Sequence, residues 1–378
     1  MRNPASFCAA KSKSSKKPNR ATNDQKATRA ASRPAHFFSA REAAFLFILL
    51  FAGCAQYAAV SEKRPRFTPV RSTADALVQI QQGIAEALKK QSRDPMAALG
   101  SYLASADAAA RELARNPQND TARSDYNFAV ARIISTIRDG KLDPWTQPLR
   151  VPAEGGDYVL DHRRDRRKAW NPALYRLTPA DQFGMKGTYV SHHSTKEGVG
   201  APLVAVGVDR NPDARKTFSL PRTYYGITAV AQFSGRHCTI VFEDPLASET
   251  TTLEGRTFPL AADYTVPLAV MLADTKPKSL EISRVFFPEK YAATARLARL
   301  QPYDPNKTVV LVIHGLADTP ATWAPMLNAL RSDERIRRNY QFWSSATRPD
   351  TSIPTPPPSF AASWTASKGD TRSASLWS

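Results

Sequence analysis

The residues with the clearest potential for chemistry lie near the end of the chain, where the apolar run 308–313 stops at His314-Gly315. Five or six apolar, mostly β-branched residues predict a buried strand, and His-Gly predicts an abrupt turn at its carboxyl end. Residues 321–340 then predict a helix. Strand, turn and helix together begin an enzyme-like site, which the remaining residues do not finish.

The expected helix has signals at its start and along one face. Thr319 can cap it and Pro320 suits its first turn, whereas Pro325 is expected to kink the helix or delay its start. Apolar residues recur at spacings that roughly fit one face: Trp323, Met326, Leu327, Leu330 and Ile336.

This order of elements resembles the first parallel strand, oxyanion loop and following helix of the α/β-hydrolase fold, over about residues 279–343. In that family the turn supplies a backbone N–H that stabilises the charge developing on a tetrahedral intermediate. The resemblance implies an oxyanion loop of His314, Gly315, Leu316 and Ala317, with the N–H of Leu316 as donor. For intact relatives it implies an acyl-ester substrate, without cofactor or metal. A buried strand with a glycine turn from any other α/β domain is the alternative.

The same family requires a nucleophile elbow, Gly-x-Ser-x-Gly, and a histidine later in the chain. No such pentapeptide occurs in this sequence, and no histidine follows His314. We therefore predict an N-terminal fragment of a serine hydrolase that is inactive as written, because its catalytic triad is absent.

Residues 344–378 are dominated by Ser, Thr, Pro and Ala, a composition that predicts a disordered tail. One explanation is a frameshift, since permitted codons allow residues 345–351 to be read as Phe-Ser-Tyr-Pro-Thr-Gly-Tyr, a plausible completion of the strand begun at 340–343. A native Pro/Ser tail is the alternative.

The net charge of +18 is typical of nucleic-acid-binding proteins, but the positions of the basic residues argue against that function. Residues 1–40 hold nine Lys or Arg residues against Asp24 alone. Further basic clusters at 63–66 and 162–168 lack aromatic interleaving and any nucleic-acid motif. They are interpreted as solvated surface, so no nucleic-acid partner is expected.

An apolar stretch, 43–54, is too short for a stable membrane span but has the length of a secretory signal core. It resembles the bacterial lipoprotein signal, because two small residues precede Cys54, although Phe51 departs from the usual Leu. The resemblance implies lipidation of Cys54 and a membrane lipid anchor, and Ala55 implies the outer membrane of a Gram-negative cell envelope. An ordinary signal peptide or a buried helix is the alternative.

Three helices are predicted between the linker and the β-rich part, at about 73–88, 95–113 and 122–137. Their lengths and Pro-terminated turn resemble a tetratricopeptide-type hairpin. A single unit of that kind cannot bury its own face, so we expect it to pack on the next domain. A non-enzymatic envelope scaffold or peptide-binding protein, with a protein partner on this helical region, is the alternative function.

The middle of the chain predicts strands, at 158–160, 202–208, 225–233, 238–242, 267–272 and 279–287. The last two or three are expected to join the hydrolase sheet. Cys238 is the lone cysteine after the signal, so no intrachain disulfide is expected. It stands at the start of an apolar run and is predicted to be a buried strand residue. His192, His193 and His237 lack metal-ligand spacing and are expected in loop or surface roles.

The sequence as a whole predicts an α+β multidomain protein. Its segments are expected to be a basic n-region and signal (1–54), a linker (55–72), a helical region (73–145), a β-rich region (149–290), the start of the α/β-hydrolase domain (291–343) and a tail (344–378).

Overall fold

A computed structural model describes the chain in seven stretches: 58–164, 171–208, 222–275, 296–299, 301, 304–313 and 320–346. All of these belong to one compact unit that begins at Ala55. Helices and strands are mixed, which confirms the predicted α+β class.

Three helices open the unit: α1 (Asp75–Lys90), α2 (Pro95–Arg115) and α3 (Asp120–Asp139). The side chains of Asp94 and Asn119 cap α2 and α3 by accepting N–H groups at 2.9 and 3.1 Å. Such caps satisfy donors that have no partner inside the helix. The three predicted helices are confirmed, with ends within about two residues of those expected from the Pro and Gly signals.

A six-stranded mixed sheet follows, and its spatial order is β2 (Leu149–Val151), β3 (Tyr158–His162), β9 (His237–Glu243), β8 (Arg222–Ser234), β7 (Ala201–Val208) and β4 (Tyr175–Pro179). Only β3 and β9 pair in parallel, and the other neighbours are antiparallel. Four of the predicted strands, at 158–160, 202–208, 225–233 and 238–242, are thereby confirmed.

One hydrophobic core joins the helices to this sheet, as expected for helices that cannot bury their own face. It includes Leu103 and Ile133 from the helices, and Ala229 and Ile240 from the strands. Tyr126 of α3 is fully buried, and its hydroxyl donates to the carbonyl of Ala231 at 2.7 Å and accepts its N–H at 2.9 Å. Backbone groups of β8 beyond the last residue paired with β7 thus gain partners from a helix.

Three short antiparallel pairs surround the main sheet. They are β1 (Ala59–Glu62) with β5 (Phe183–Lys186), β10 (Thr250–Leu253) with β11 (Arg256–Pro259), and β6 (Thr195–Lys196) with β12 (Ala262–Asp263).

The strand predicted at 267–272 is wrong, because these residues belong to helix α4 (Thr265–Thr275). Asp263 accepts the N–H groups of Thr265 at 3.0 Å and Val266 at 2.9 Å, which starts the helix. The helix packs into two separate apolar clusters, so it is apolar all round. A short run with no polar face carries no periodicity to separate helix from strand.

A second sheet has the spatial order β13 (Arg296–Arg299), β15 (Tyr340–Ala346) and β14 (Thr308–Ile313). The expectation that the last two or three predicted strands join it is wrong for 267–272, which is helix α4, and for 238–242, which lies in the six-stranded sheet as β9. The predicted strand 279–287 lies outside the described residues. Within the described ranges, none of the helices combines the length and apolar character that a membrane span requires.

Candidate active-site region

The candidate region is built from two parallel strands and the helices that connect them. β14 and β15 pair in parallel from Thr308 opposite Tyr340 to Ile313 opposite Ser345. The chain returns from one to the other through a 3₁₀ turn (Pro320–Trp323), α5 (Ala324–Ser332) and α6 (Glu334–Asn339). Parallel strands need such a crossover. The carboxyl ends of both strands therefore meet at one edge of the sheet.

In the sequence, the predicted oxyanion loop directly follows Ile313, the last residue of β14. His314, Gly315, Leu316 and Ala317 lie outside the described residues, as does the lipidation residue Cys54. Strand β15 continues through Ala346, past the predicted domain end at 343, and its pairing uses the serines at 344 and 345 as they stand.

The connecting helix differs from the single helix predicted over 321–340. Its α-helical part starts only at Ala324, with Pro325 in the first turn, which confirms that Pro325 delays the start. It then ends before Asp333, whose carboxylate accepts the N–H of Arg335 at 2.9 Å and starts α6. A second capping residue inside an apolar pattern thus divides one predicted helix into two.

One face of the sheet is covered by these helices. Val312, Leu327 and Phe342 form its buried centre, and the residues packed around them include Val310, Trp323, Leu330 and Ile336. Four of the five apolar positions predicted for the helix face are therefore confirmed. Met326 is the exception, since 38% of it is exposed.

The opposite face of β14 is open in the described part of the chain. Val309 is 39% exposed and Ile313 is 54% exposed. Successive side chains of a strand point to opposite faces of the sheet. Val309 and Ile313 are four residues apart, so they share the face that α5 does not cover. β14 also has β15 as its single neighbour among the described strands, which leaves it at the edge of the sheet.

Gln341 on β15 fixes the turn that leads into β14. Its side-chain amide donates to the carbonyls of Asp304 at 2.6 Å and Lys307 at 2.9 Å, and its oxygen accepts the N–H of Asp304 at 3.1 Å. The residue is fully buried. Sequence reasoning missed it, because a glutamine in an apolar strand has no local signal for a partner 37 residues away.

A buried polar network attaches α5 to the rest of the unit. Asn328 of α5 donates to the carbonyl of His192 at 2.9 Å and to the hydroxyl of Ser194 at 3.2 Å. Its own oxygen accepts the hydroxyl of Thr265 at 3.0 Å, and that hydroxyl oxygen accepts the N–H of Ser194 at 2.8 Å. Each of these polar groups has a hydrogen-bond partner. The network therefore holds α4, α5 and the segment that contains His192 and Ser194 in one arrangement.

An ionic cluster makes a second attachment. Glu249 accepts from Arg337 Nε at 2.7 Å and Nη2 at 2.5 Å, and it also bonds Lys196. Burial alone would raise the pKa of Glu249, but the bonds from Arg337 and Lys196 lower it below its usual value. Arg337 also stacks over the ring of Tyr264 at 5.2 Å.

The three histidines predicted in loop or surface roles form no metal site in the described residues. His193 is half exposed and bonds Asp263 at 2.8 Å, and that hydrogen bond raises the pKa of the imidazole. His237 is similarly exposed and bonds Asp161 at 2.8 Å. Within the described ranges no serine hydroxyl bonds either ring, so neither pair forms a Ser-His-Asp arrangement.

Cys238 is fully buried, as predicted, and lies in strand β9. Burial raises the pKa of its thiol well above the usual value. A protonated, inaccessible thiol cannot serve as a nucleophile.

Comparison with known proteins assigns no relative: no protein-family model, curated protein or solved structure matches this chain. The functional conclusion therefore depends on the residues and geometry described above.

Proposed function

We propose that the β13–β15 unit is the opening part of an α/β-hydrolase domain, and that this chain is itself inactive as a serine hydrolase. Three features support the proposal. β14 and β15 are parallel, their connection is helical, and the sequence places His314-Gly315 at the carboxyl end of the first parallel strand. In open α/β sheets, that end is where ligands bind.

The observation that carries the proposal is the open face of β14. Parallel strands are almost always covered on both faces and therefore have apolar side chains on both. The strand Thr308–Ile313 has that composition, yet Val309 and Ile313 are exposed. A sheet of this type needs further strands and a second covering layer, which the described residues do not supply.

The second half of the proposal concerns the reacting groups. Acyl transfer through serine needs a hydroxyl next to a histidine base. The chain has no Gly-x-Ser-x-Gly and no histidine after His314. The Asp263–His193 pair does not replace them, because the hydroxyl of neighbouring Ser194 bonds Asn328 instead of the ring.

A fluorophosphonate probe tests this proposal on the full-length chain. We expect no serine to be labelled, and hydrolysis of p-nitrophenyl butyrate at the rate of the heat-denatured chain. An active serine hydrolase in the same tube controls for the probe. Stoichiometric labelling of one serine, lost on denaturation, would overturn the proposed inactivity.

We further propose that the chain is anchored to the envelope, in the outer membrane, through a lipid on Cys54. Growth of bacteria expressing the full chain with an alkyne-bearing fatty acid tests this. Label is expected in the wild type and in Cys238→Ser, because Cys238 is buried, but not in Cys54→Ser. Equal labelling of Cys54→Ser would contradict the proposal, and density separation of the two membranes tests the location.

A peptide-binding scaffold is a weaker candidate for this fold. Helices α1, α2 and α3 use their apolar faces in the core shared with the six-stranded sheet. A peptide groove on a helical array needs a face that remains free.

A further inference from the structure

A cleft of about 260 Å³ lies between the end of α3 and strand β4, and neither function proposed above uses it. Its apolar lining comes from both sides: Ile134, Ile137, Leu142 and Leu177. Trp145 also lines it, held in place by edge contacts with His162 at 5.8 Å and Phe242 at 5.5 Å. The cleft therefore offers an apolar floor with a fixed aromatic wall.

Charged residues form the rim of this cleft, and most of them are already paired. Arg138 bonds Asp139 and Gln182, and Arg176 bonds Glu62. Asp143, which also lines the cleft, accepts the hydroxyl and N–H of Thr146. Lys141 is different, because its ammonium makes no ion pair in the part of the chain that the structure describes. Lys141 is thus the one cation of this rim without an ion pair among the described residues, and Asp143 is the one carboxylate, whose oxygens are held by its own turn.

The backbone at Lys141 is strained. Its φ is +53°, a left-handed conformation in which glycine is the usual residue at the end of a helix. The lysine is not needed to cap α3, because the carbonyls of Thr136 and Ile137 accept the N–H groups of Gly140 and Leu142 at 2.8 and 2.9 Å. This conformation alone assigns no role, since Glu254 shares it, but at Lys141 it coincides with a position on the rim of the cleft.

We propose that this cleft binds a small amphipathic carboxylate, with its charged end on the Lys141 ammonium and a short alkyl tail on the apolar floor. The volume lies just below the roughly 300 Å³ at which sites for drug-sized ligands begin, so the ligand is small. A lysine ammonium is a compact point charge that suits a single carboxylate. The inference depends on neither the hydrolase nor the lipid-anchor proposal.

Isothermal titration of the full-length chain with octanoate at pH 7 tests the proposal. Saturable binding of one octanoate is expected, with butyrate at least tenfold weaker because it covers less of the floor. Octylamine is expected to bind at least tenfold more weakly than octanoate, because its ammonium is repelled by Lys141; equal or tighter octylamine binding would place the ligand charge on Asp143 and overturn the proposal. Absence of saturable octanoate binding overturns the proposal, and so does inorganic phosphate binding as tightly as octanoate, since the tail would then contribute nothing.

Three variants separate the effect of the Lys141 side chain from that of the backbone strain. Lys141→Gly removes both, and we expect a higher Tm together with at least tenfold weaker octanoate binding. Glu254→Gly relieves the same kind of strain, since the φ of Glu254 is +48°, but Glu254 does not line the cleft. It should raise Tm and leave binding unchanged. Lys141→Gln keeps the backbone constraint and should weaken binding as much as Lys141→Gly does. Unchanged binding in both Lys141 variants would overturn the assignment.

Discussion

The two larger sheets among the described residues differ in how completely they are enclosed. The six-stranded sheet shares one core with three helices, and it buries Tyr126 and Tyr158 with their hydroxyls bonded. The three-stranded sheet has helices on one face, while Val309 and Ile313 are exposed on the other. Strands of equally apolar sequence thus end in different environments. The composition of a strand therefore indicates the environment that the strand requires, whereas its exposure shows whether the described chain provides that environment.

What holds each region together differs as well. The enclosed region is fixed by side chains that reach from a helix to the sheet or to the segments beside it. Asn127 bonds the carbonyl of Gly198 at 2.8 Å and the N–H of Gly200 at 2.7 Å, just before β7. The three-stranded sheet is attached through α5 and α6, by the Asn328 network and the Glu249 cluster. Damage to these attachments should therefore affect the two regions unequally.

The largest effect is expected for Tyr126→Phe. Removal of the hydroxyl leaves the buried N–H and carbonyl of Ala231 without their side-chain partner, at a cost of about 2–4 kcal/mol in the free energy of unfolding. Urea denaturation measures it. Tyr102→Phe is the matched control, because its hydroxyl donates to the side chain of Gln91 and contributes only about 1 kcal/mol. Equal losses would contradict the assigned role of Tyr126.

Glu249→Gln should cost about 1–3 kcal/mol, because it leaves Arg337 and Lys196 without their shared carboxylate. Hydrogen exchange should show the loosening in β15 and not in β8. Glu86→Gln provides the control, since Glu86 pairs with Lys90 on an exposed helix face and should change stability by less than about 0.5 kcal/mol. Uniform loosening of both sheets would count against a local attachment.

Two neighbours on β14 compare the covered and open faces directly. Val312→Ala should cost about 1–2 kcal/mol, because Val312 is 6% exposed and lies in the centre under α5. Ile313→Ala removes more atoms but should cost less than about 0.5 kcal/mol, because Ile313 is more than half exposed. Thermal unfolding measures both. The reverse order would mean that the face described as open is covered.

The smallest effect concerns pH. The bond from Asp263 raises the pKa of His193 above its unfolded value of about 6.5, so the protonated form favours the folded chain. Its contribution is fully present below about pH 6.5 and is lost as pH rises through the folded pKa. The half-exposed ring limits it to less than about 1 kcal/mol. His193→Gln should therefore reduce the free energy of unfolding at pH 5.5 and have little effect at pH 8.5. Equal losses of stability at both pH values would rule out a contribution from the charge on His193.

Local signals predicted most of the elements. Helices α1 to α3 are bounded by Asp94-Pro95, Asn116-Pro117 and Gly140, residues that act on their immediate neighbours. Helix α4 was mispredicted because its run is apolar on all sides, and only Asp263, outside the run, starts it. A similar capping residue, Asp333, divided the helix predicted over 321–340.

The candidate region was harder to predict, because its stabilising groups are distant in sequence. Asn328 bonds residues more than 130 positions away, and Glu249 bonds Arg337 across 88 positions. No spacing rule relates such residues. The sequence also did not predict that one face of β14 is more exposed than the other, because the composition of β14 is that of a strand buried on both faces.

Backbone hydrogen exchange of the full-length chain tests the central claim, that β14 belongs to a sheet left open by the described part of this chain. The amides of β8, enclosed between two strands and under helices, should exchange at rates near those set by global unfolding. Those of β14 should exchange at least about 100-fold faster, because an edge strand with an open face unfolds locally. Equal protection of β14 and β8 would contradict the claim and, with it, the proposal that this unit is the opening of a larger hydrolase domain.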